Sequence, residues 1–176
     1  MADASGPPKT GFRIFRRGGE GLGETGHMKT VGLDESMLAN LKRLQETQGP
    51  GATETRYLFG GNGMSLCSVW FRSNYPVVLH SHDADCLYYL IAGSLRLGTE
   101  TLEAGDGFFV PAGVPYTYTA GPEGVELLEF RTAEEFDIRF TSRNANYWEK
   151  TFATIAGRRD SWVGEQRPAR RVPEKL

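Results

Sequence analysis

The sequence predicts an all-β protein: a double-stranded β-helix, or jelly-roll barrel, with an N-terminal helix and a C-terminal helical or irregular extension. Three observations predict it. Short strand-like runs, rich in β-branched and aromatic residues, follow one another from Arg56 to Arg131. The 22 glycines are spread along the chain, which suits many short strands joined by tight turns. No internal repeat divides the 176 residues, so they read as one barrel large enough to bury a real core.

Taken in order, residues 1–32 read as a flexible N-terminal segment rich in Gly, Pro and charge. There only Phe12-Arg-Ile-Phe15 can form a short strand or anchor, and His27 reads as a solvated loop histidine. Residues 33–54 are a helix and linker. Asp34 or Ser36 caps a helix over 33–48, Met37, Leu38, Leu41 and Leu44 make an apolar stripe at helical spacing, and Gly49-Pro50 ends it. The barrel occupies 55–132, with strands expected over 56–59, 64–72, 76–82, 86–92, 94–97, 107–110, 115–119 and 125–131. Gly60-Gly-Asn-Gly63 reads as a hairpin connection and Ala92-Gly93-Ser94 as a second turn. The extension, 133–176, holds a helix over 145–156 with Trp148, Phe152 and Ile155 on one side and Gly157 at its end. Arg158-Arg159 and the arginines from Arg167 to Arg171 read as a solvated tail or surface arm.

Composition excludes several function classes. A formal net charge of −2 gives no electrostatic reason to expect nucleic acid or an anionic membrane as partner. No apolar run reaches the roughly 18 residues that a membrane-spanning helix needs. The N-terminus lacks the basic start and apolar stretch of a signal peptide. Cys67 and Cys86 are too few for a disulfide scaffold. A soluble cytoplasmic protein is expected.

The chemistry concentrates in His80-Ser-His82. Side chains alternate along a strand, so both imidazoles point to one side and make half of a metal site. Imidazole suits Zn, Fe, Ni and Cu. The plainer alternative is two hydrogen-bonded polar residues at a strand end. Gly93 follows, then Gly105-Asp-Gly-Phe-Phe-Val-Pro111-Ala-Gly113-Val-Pro-Tyr116. Over residues 58–131 this resembles the cupin family, whose motifs are G-x5-H-x-H-x3,4-E-x6-G and G-x5-P-x-G-x2-H-x3-N. His80, His82 and Gly93 fit the first motif; Gly105, Pro111 and Gly113 fit the second. The chain departs from both. Cys86 stands at the glutamate position, Tyr116 at the motif-two histidine and Asn74 at the leading glycine, while Thr119 and Ala120 leave the final Asn unmatched.

The resemblance implies a metal-dependent enzyme, with Fe, Mn, Ni or Zn on His80 and His82 and further ligands from Cys86, Tyr116, Asp85 or a glutamate. Its substrate would be a small organic molecule, aromatic or carbonyl-bearing, handled by dioxygenase, lyase or isomerase chemistry. Such barrels often dimerise, so a homodimer is implied. Cys86 admits three readings: a thiolate ligand, a partner in a thioether to tyrosine as in cysteine dioxygenase, or a small buried apolar side chain. Tyr88, Tyr116 and His82 are the candidate catalytic groups; Tyr88 resembles the tyrosine of cupin-type dimethylsulfoniopropionate lyases. Alternation from His80 puts His82, Ala84, Cys86, Tyr88 and Leu90 on one face, and Tyr116 and Tyr118 share another. Asp83 and Asp85 either orient an imidazole or serve the turn. Of Glu126 and Glu129, on opposite faces of their strand, one must point inward. Trp70, Phe108, Phe130 and the tyrosines are expected to line an apolar cavity. Two alternatives stand beside the metal enzyme: a metal-free isomerase or epimerase using His and Tyr, and a non-catalytic small-molecule-binding barrel.

Overall fold

The computed structural model describes residues 11–16, 18, 20–21 and 26–170. Its strands are β1 (Glu20–Gly21), β2 (Met28–Thr30), β3 (Thr53–Gly61), β4 (Met64–Phe71), β5 (His80–Ser81), β6 (Cys86–Leu97), β7 (Glu100–Glu103), β8 (Gly107–Val110), β9 (Thr119–Arg131) and β10 (Phe136–Phe140). Helices α1 (Glu35–Gln48) and α2 (Ala145–Ala156) flank the barrel strands in sequence. One sheet runs β1-β3-β4-β9-β6-β7, with β8 also on β6; the other runs β2-β10-β5. Facing each other, they form the double-stranded β-helix, and the largest apolar cluster fills it from Leu90, Leu95, Val125 and Leu127. Among the described residues no helix is long and apolar enough to cross a membrane.

The hairpin between β3 and β4 turns on Asn62 (φ 55°) and Gly63 (φ 73°), the positive-φ pair that a two-residue connection needs. Asn74, at the position where the family pattern has glycine, also sits at φ 55°; asparagine tolerates that left-handed region better than other side chains. The substitution therefore keeps the turn.

Several elements differ from expectation. Residues 86–92 and 94–97 form one strand, and Gly93 is a bulge where the pairing with β9 shifts. A Cβ there would lie 2.1 Å from the Gly124 carbonyl oxygen, so glycine serves close approach of β9 and not a chain reversal. The 76–82 stretch pairs as a strand only at His80–Ser81, with isolated bridges Pro76↔Thr119 and His80↔Tyr116. Pro76 has no N–H for a ladder. Strands β2, β7 and β10 arise outside the runs read from the sequence. No strand forms over 12–15; Phe12 is 94% exposed, and Phe15 packs its ring 6.0 Å from Phe59. His27 is half-buried, stacked on Tyr57.

Helix α1 is capped by Asp34, whose Oδ1 accepts from the Met37 N–H at 2.8 Å, and ends at Gly49. Met37 and Leu44 are buried, but Leu38 is half exposed, so the buried stripe is narrower than its spacing suggested. Helix α2 spans the expected residues and buries Trp148, Phe152 and Ile155. Arg158 and Arg159 are exposed, as expected, but the later arginines are tied down. Arg167 reaches Glu126 at 2.9 Å and Glu54 at 2.7 Å, and Arg170 reaches Glu126 at 3.3 Å. Arg171 lies outside the described residues.

Candidate functional site

A cavity of about 330 Å³ opens between the two sheets. Val69, Phe71, Glu129 and Arg131 reach it from the large sheet, His80, Ile138 and Phe140 from the small one, and Leu44 and Gln48 from α1. His82, Tyr116 and Tyr118 complete its polar wall.

The two imidazoles are buried with ring centroids 5.0 Å apart. His80 Nδ1 lies 2.6 Å from the Val78 carbonyl, and His82 Nδ1 lies 2.5 Å from the Asp137 carbonyl. A carbonyl can only accept, so both Nδ1 atoms carry the proton and both Nε2 atoms present lone pairs. Tyr116 then donates to His80 Nε2 across 2.9 Å, and Tyr88 donates to Tyr116 in turn. No side chain among the described residues hydrogen-bonds His82 Nε2. The main chain holds this arrangement at three further points. His80 and Tyr116 exchange backbone bonds of 3.1 and 2.9 Å. Gly113, at φ 78°, donates to the His82 carbonyl at 2.7 Å. Asp83 accepts from the Asp137 N–H at 2.7 Å, steadying the residue whose carbonyl fixes His82.

Burial dominates the titration of the imidazoles, the phenols and the Cys86 thiol. It pushes His80 down to about 4 and His82 to about 3, with the Arg131 charge adding to both, so the imidazoles are neutral at pH 7. The same desolvation drives the Tyr88, Tyr116 and Tyr118 phenols well above their usual value and the Cys86 thiol up to about 12.

The expected face of His80, His82, Ala84, Cys86, Tyr88 and Leu90 is buried throughout, with Leu87 and Tyr89 exposed between them. Yet Cys86 and Tyr88 do not border the cavity; they pack behind it, Tyr88 stacked on Phe108 at 4.3 Å. Asp85 accepts from the Ala112 N–H at 2.8 Å, serving the turn. Trp70, Phe108 and Phe130 do not line the cavity. Alternation on β4 sends Val69 and Phe71 inward and turns Trp70 outward under Arg72 and Arg167, while Phe130 is 43% exposed. Of the tyrosines, Tyr75, Tyr116 and Tyr118 line it as expected, and Phe71 and Phe140 supply the rest of the aromatic lining.

Glu129 is the carboxylate that points inward, and it is held by a residue the sequence reading missed. Arg131 Nη2 donates to Glu129 Oε2 at 2.6 Å, with both side chains buried. Phe136 covers the guanidinium at 4.1 Å. The signal was present: Arg131 lies two residues beyond Glu129 on a strand, hence on the same face.

As ligands, the two imidazoles fit a divalent ion, since each offers Nε2 with Nδ1–H fixed by a main-chain carbonyl. Among the described residues no third His, Cys, Asp or Glu forms a metal-holding cluster with them. The group beside His80 Nε2 is the Tyr116 hydroxyl.

No family model matches the chain, and no curated protein sequence matches it. Solved structures do. An RmlC-like cupin from Shewanella frigidimarina is 22% identical, with TM-score 0.42 over 46% of this chain and 76% of that one. The polyketide cyclase RemF from Streptomyces resistomycificus is 22% identical, with TM-score 0.49 over 60% of this chain and 87% of that one. Oxalate decarboxylase from Bacillus subtilis, which has Mn(II) centres, is 20% identical, with TM-score 0.44 over 47% of this chain and only 26% of that one. Likeness at this level says nothing of what the barrel binds. The fold itself stands on the strand register above: a double-stranded β-helix enclosing one two-imidazole wall.

Proposed function

We propose that the protein is a metal-dependent enzyme acting on a small organic substrate, with a divalent transition metal held by Nε2 of His80 and His82 and by the Tyr116 oxygen. One observation carries this reading: both Nδ1–H groups are tied to main-chain carbonyls, which leaves two neutral Nε2 donors on one cavity wall. Iron, manganese, nickel and zinc all suit such nitrogen and oxygen donors. An ion there supplies a Lewis acid that polarises a carbonyl or stabilises an enolate, chemistry shared by lyases, isomerases and dioxygenases. The chain's own groups do the rest. Phe71, Tyr75 and Phe140 exclude water from the substrate's body, and the Tyr88–Tyr116 hydroxyl pair holds a proton at the polar wall.

The hydrogen-bonded run from Tyr88 through Tyr116 to His80 favours a second reading, metal-free acid/base catalysis by a cavity histidine and tyrosine. Desolvation weakens it. Burial holds the phenols above their usual value and His80 below its own, and both shifts oppose transfer of a proton from Tyr116 to His80.

Elemental mass spectrometry on untagged protein tests the reading. Near-stoichiometric metal in the wild type, lost in His82→Ala and retained in Cys86→Ala, is the expected result. No metal in the wild type after reconstitution would sink it and leave the metal-free enzyme or a binding module. A homodimer is proposed as well, on the row of half-exposed Phe109, Leu87 and Phe130 aligned across β8, β6 and β9. Sedimentation of wild type and Leu87→Lys checks it, and a monomeric wild type would end it.

A further inference from the structure

The cavity has two walls of different chemistry, and the metal reading uses only one. Arg131 also borders the cavity and is 4% exposed. A guanidinium carries five N–H donors in a planar fork. One is taken by Glu129 and the Cys67 thiol lies against the group, whereas Nε and Nη1 have no oxygen or nitrogen acceptor among the described residues. A buried donor without an acceptor is costly, and more so when it is charged. Native proteins rarely keep such groups without a use for them. Packing alone would be served as well by an apolar side chain of similar size.

We propose that Arg131 is the anchor for the carboxylate of the substrate, so that the ligand is a small organic acid with an apolar or aromatic body. The body has a matching surface: Phe71, Tyr75, Tyr118 and Phe140 line the same cavity, whose volume of about 330 Å³ suits a molecule of modest size. Charge agrees. Arg131 is the one lysine or arginine among the lining residues, and Glu129 is the one carboxylate that opposes it. The planar fork of arginine matches a carboxylate better than it matches a neutral amide, which can offer only one oxygen. Glu129 then has a second role. It holds the guanidinium in place and competes with the ligand for it, which sets the affinity at a releasable level.

This inference rests on the reading that the cavity is where the substrate sits, but not on the metal. The test is calorimetric titration of chelator-treated protein with benzoate and with benzamide, its neutral isostere. Wild type should take benzoate about tenfold more tightly than benzamide. Glu129→Gln, which removes the competing charge, should tighten benzoate by about tenfold more and leave benzamide unchanged. The double variant Glu129→Gln/Arg131→Gln, folded by circular dichroism, should lose the preference. Benzoate binding no tighter than benzamide in wild type and in Glu129→Gln alike overturns the proposal, as does a preference that survives in the double variant. The two readings fail separately: absence of metal after reconstitution would sink the metal reading alone, whereas loss of the benzoate preference in chelator-treated protein would sink this one alone.

Discussion

Glu126 and Glu129 leave β9 on opposite faces, and each is buried against arginine. Outside the barrel, Glu126 is 3% exposed and receives both Arg167 and Arg170 from the C-terminal segment. Here acceptors are saturated: one carboxylate answers two guanidinium groups, and Arg167 also reaches Glu54. Inside, the ratio is reversed, since one carboxylate meets a guanidinium whose Nε and Nη1 lack an oxygen or nitrogen acceptor among the described residues. The outer cluster is therefore complete, and its effect is to fasten the tail over Trp70. The inner pair is incomplete, and its arginine is one that borders the cavity. Two carboxylates of similar burial thus differ in purpose, and donor accounting tells them apart where their own burial does not.

The largest expected effect falls on the inner pair. Arg131→Met leaves Glu129 buried without its cation and should cost about 3–5 kcal/mol in urea unfolding, whereas adding Glu129→Gln to it should recover most of that loss. If the double variant is no more stable than the single one, the two residues are not coupled and the contrast fails. Next comes acid sensitivity of the imidazole wall, measured on chelator-treated protein. His80 and His82 have folded values near 4 and 3, below the 6.5 of the free side chain. The unfolded chain therefore binds protons first, so stability is full above pH 6.5 and falls as pH drops toward 4. Between pH 6.5 and 5 the loss should reach about 2 kcal/mol for each histidine, and His82→Gln should roughly halve the slope. An unchanged slope would mean that His82 is not buried as described. The outer cluster should respond least. Glu126→Gln keeps an acceptor oxygen, so we expect about 1–2 kcal/mol and faster proteolysis after Trp162, with ligand binding unchanged. A loss larger than that of Arg131→Met would reverse the comparison.

Much of this was legible in the chain because it is encoded locally. Period-two alternation from His80 placed the buried face through Leu90, and the glycine and proline spacing located turns such as the one at Gly113. What escaped depends on partners distant in sequence. Gly93 looks like a turn until the Gly124 carbonyl arrives against it. Strand β10 carries an alternating Phe-Asp-Ile-Arg-Phe pattern, but its importance lies in pairing with β5 and β2, which local pattern does not reveal. Trp70 reads as cavity lining from its aromatic character alone, but the inward face of β4 belongs to Val69 and Phe71. Arg131 was passed over as a strand-terminal charge, although its spacing from Glu129 already put both on one side.

The carbonyls of Val78 and Asp137 that fix the imidazoles belong to the peptide chain itself. No side-chain replacement at either position can delete them. Mutation can therefore explore positions 78, 86, 116 and 137 while His80 and His82 keep one tautomer and one orientation. A barrel built this way tolerates changes in the rest of its donor set without losing its first two nitrogen atoms, which leaves its chemistry open to revision while its aim stays constant.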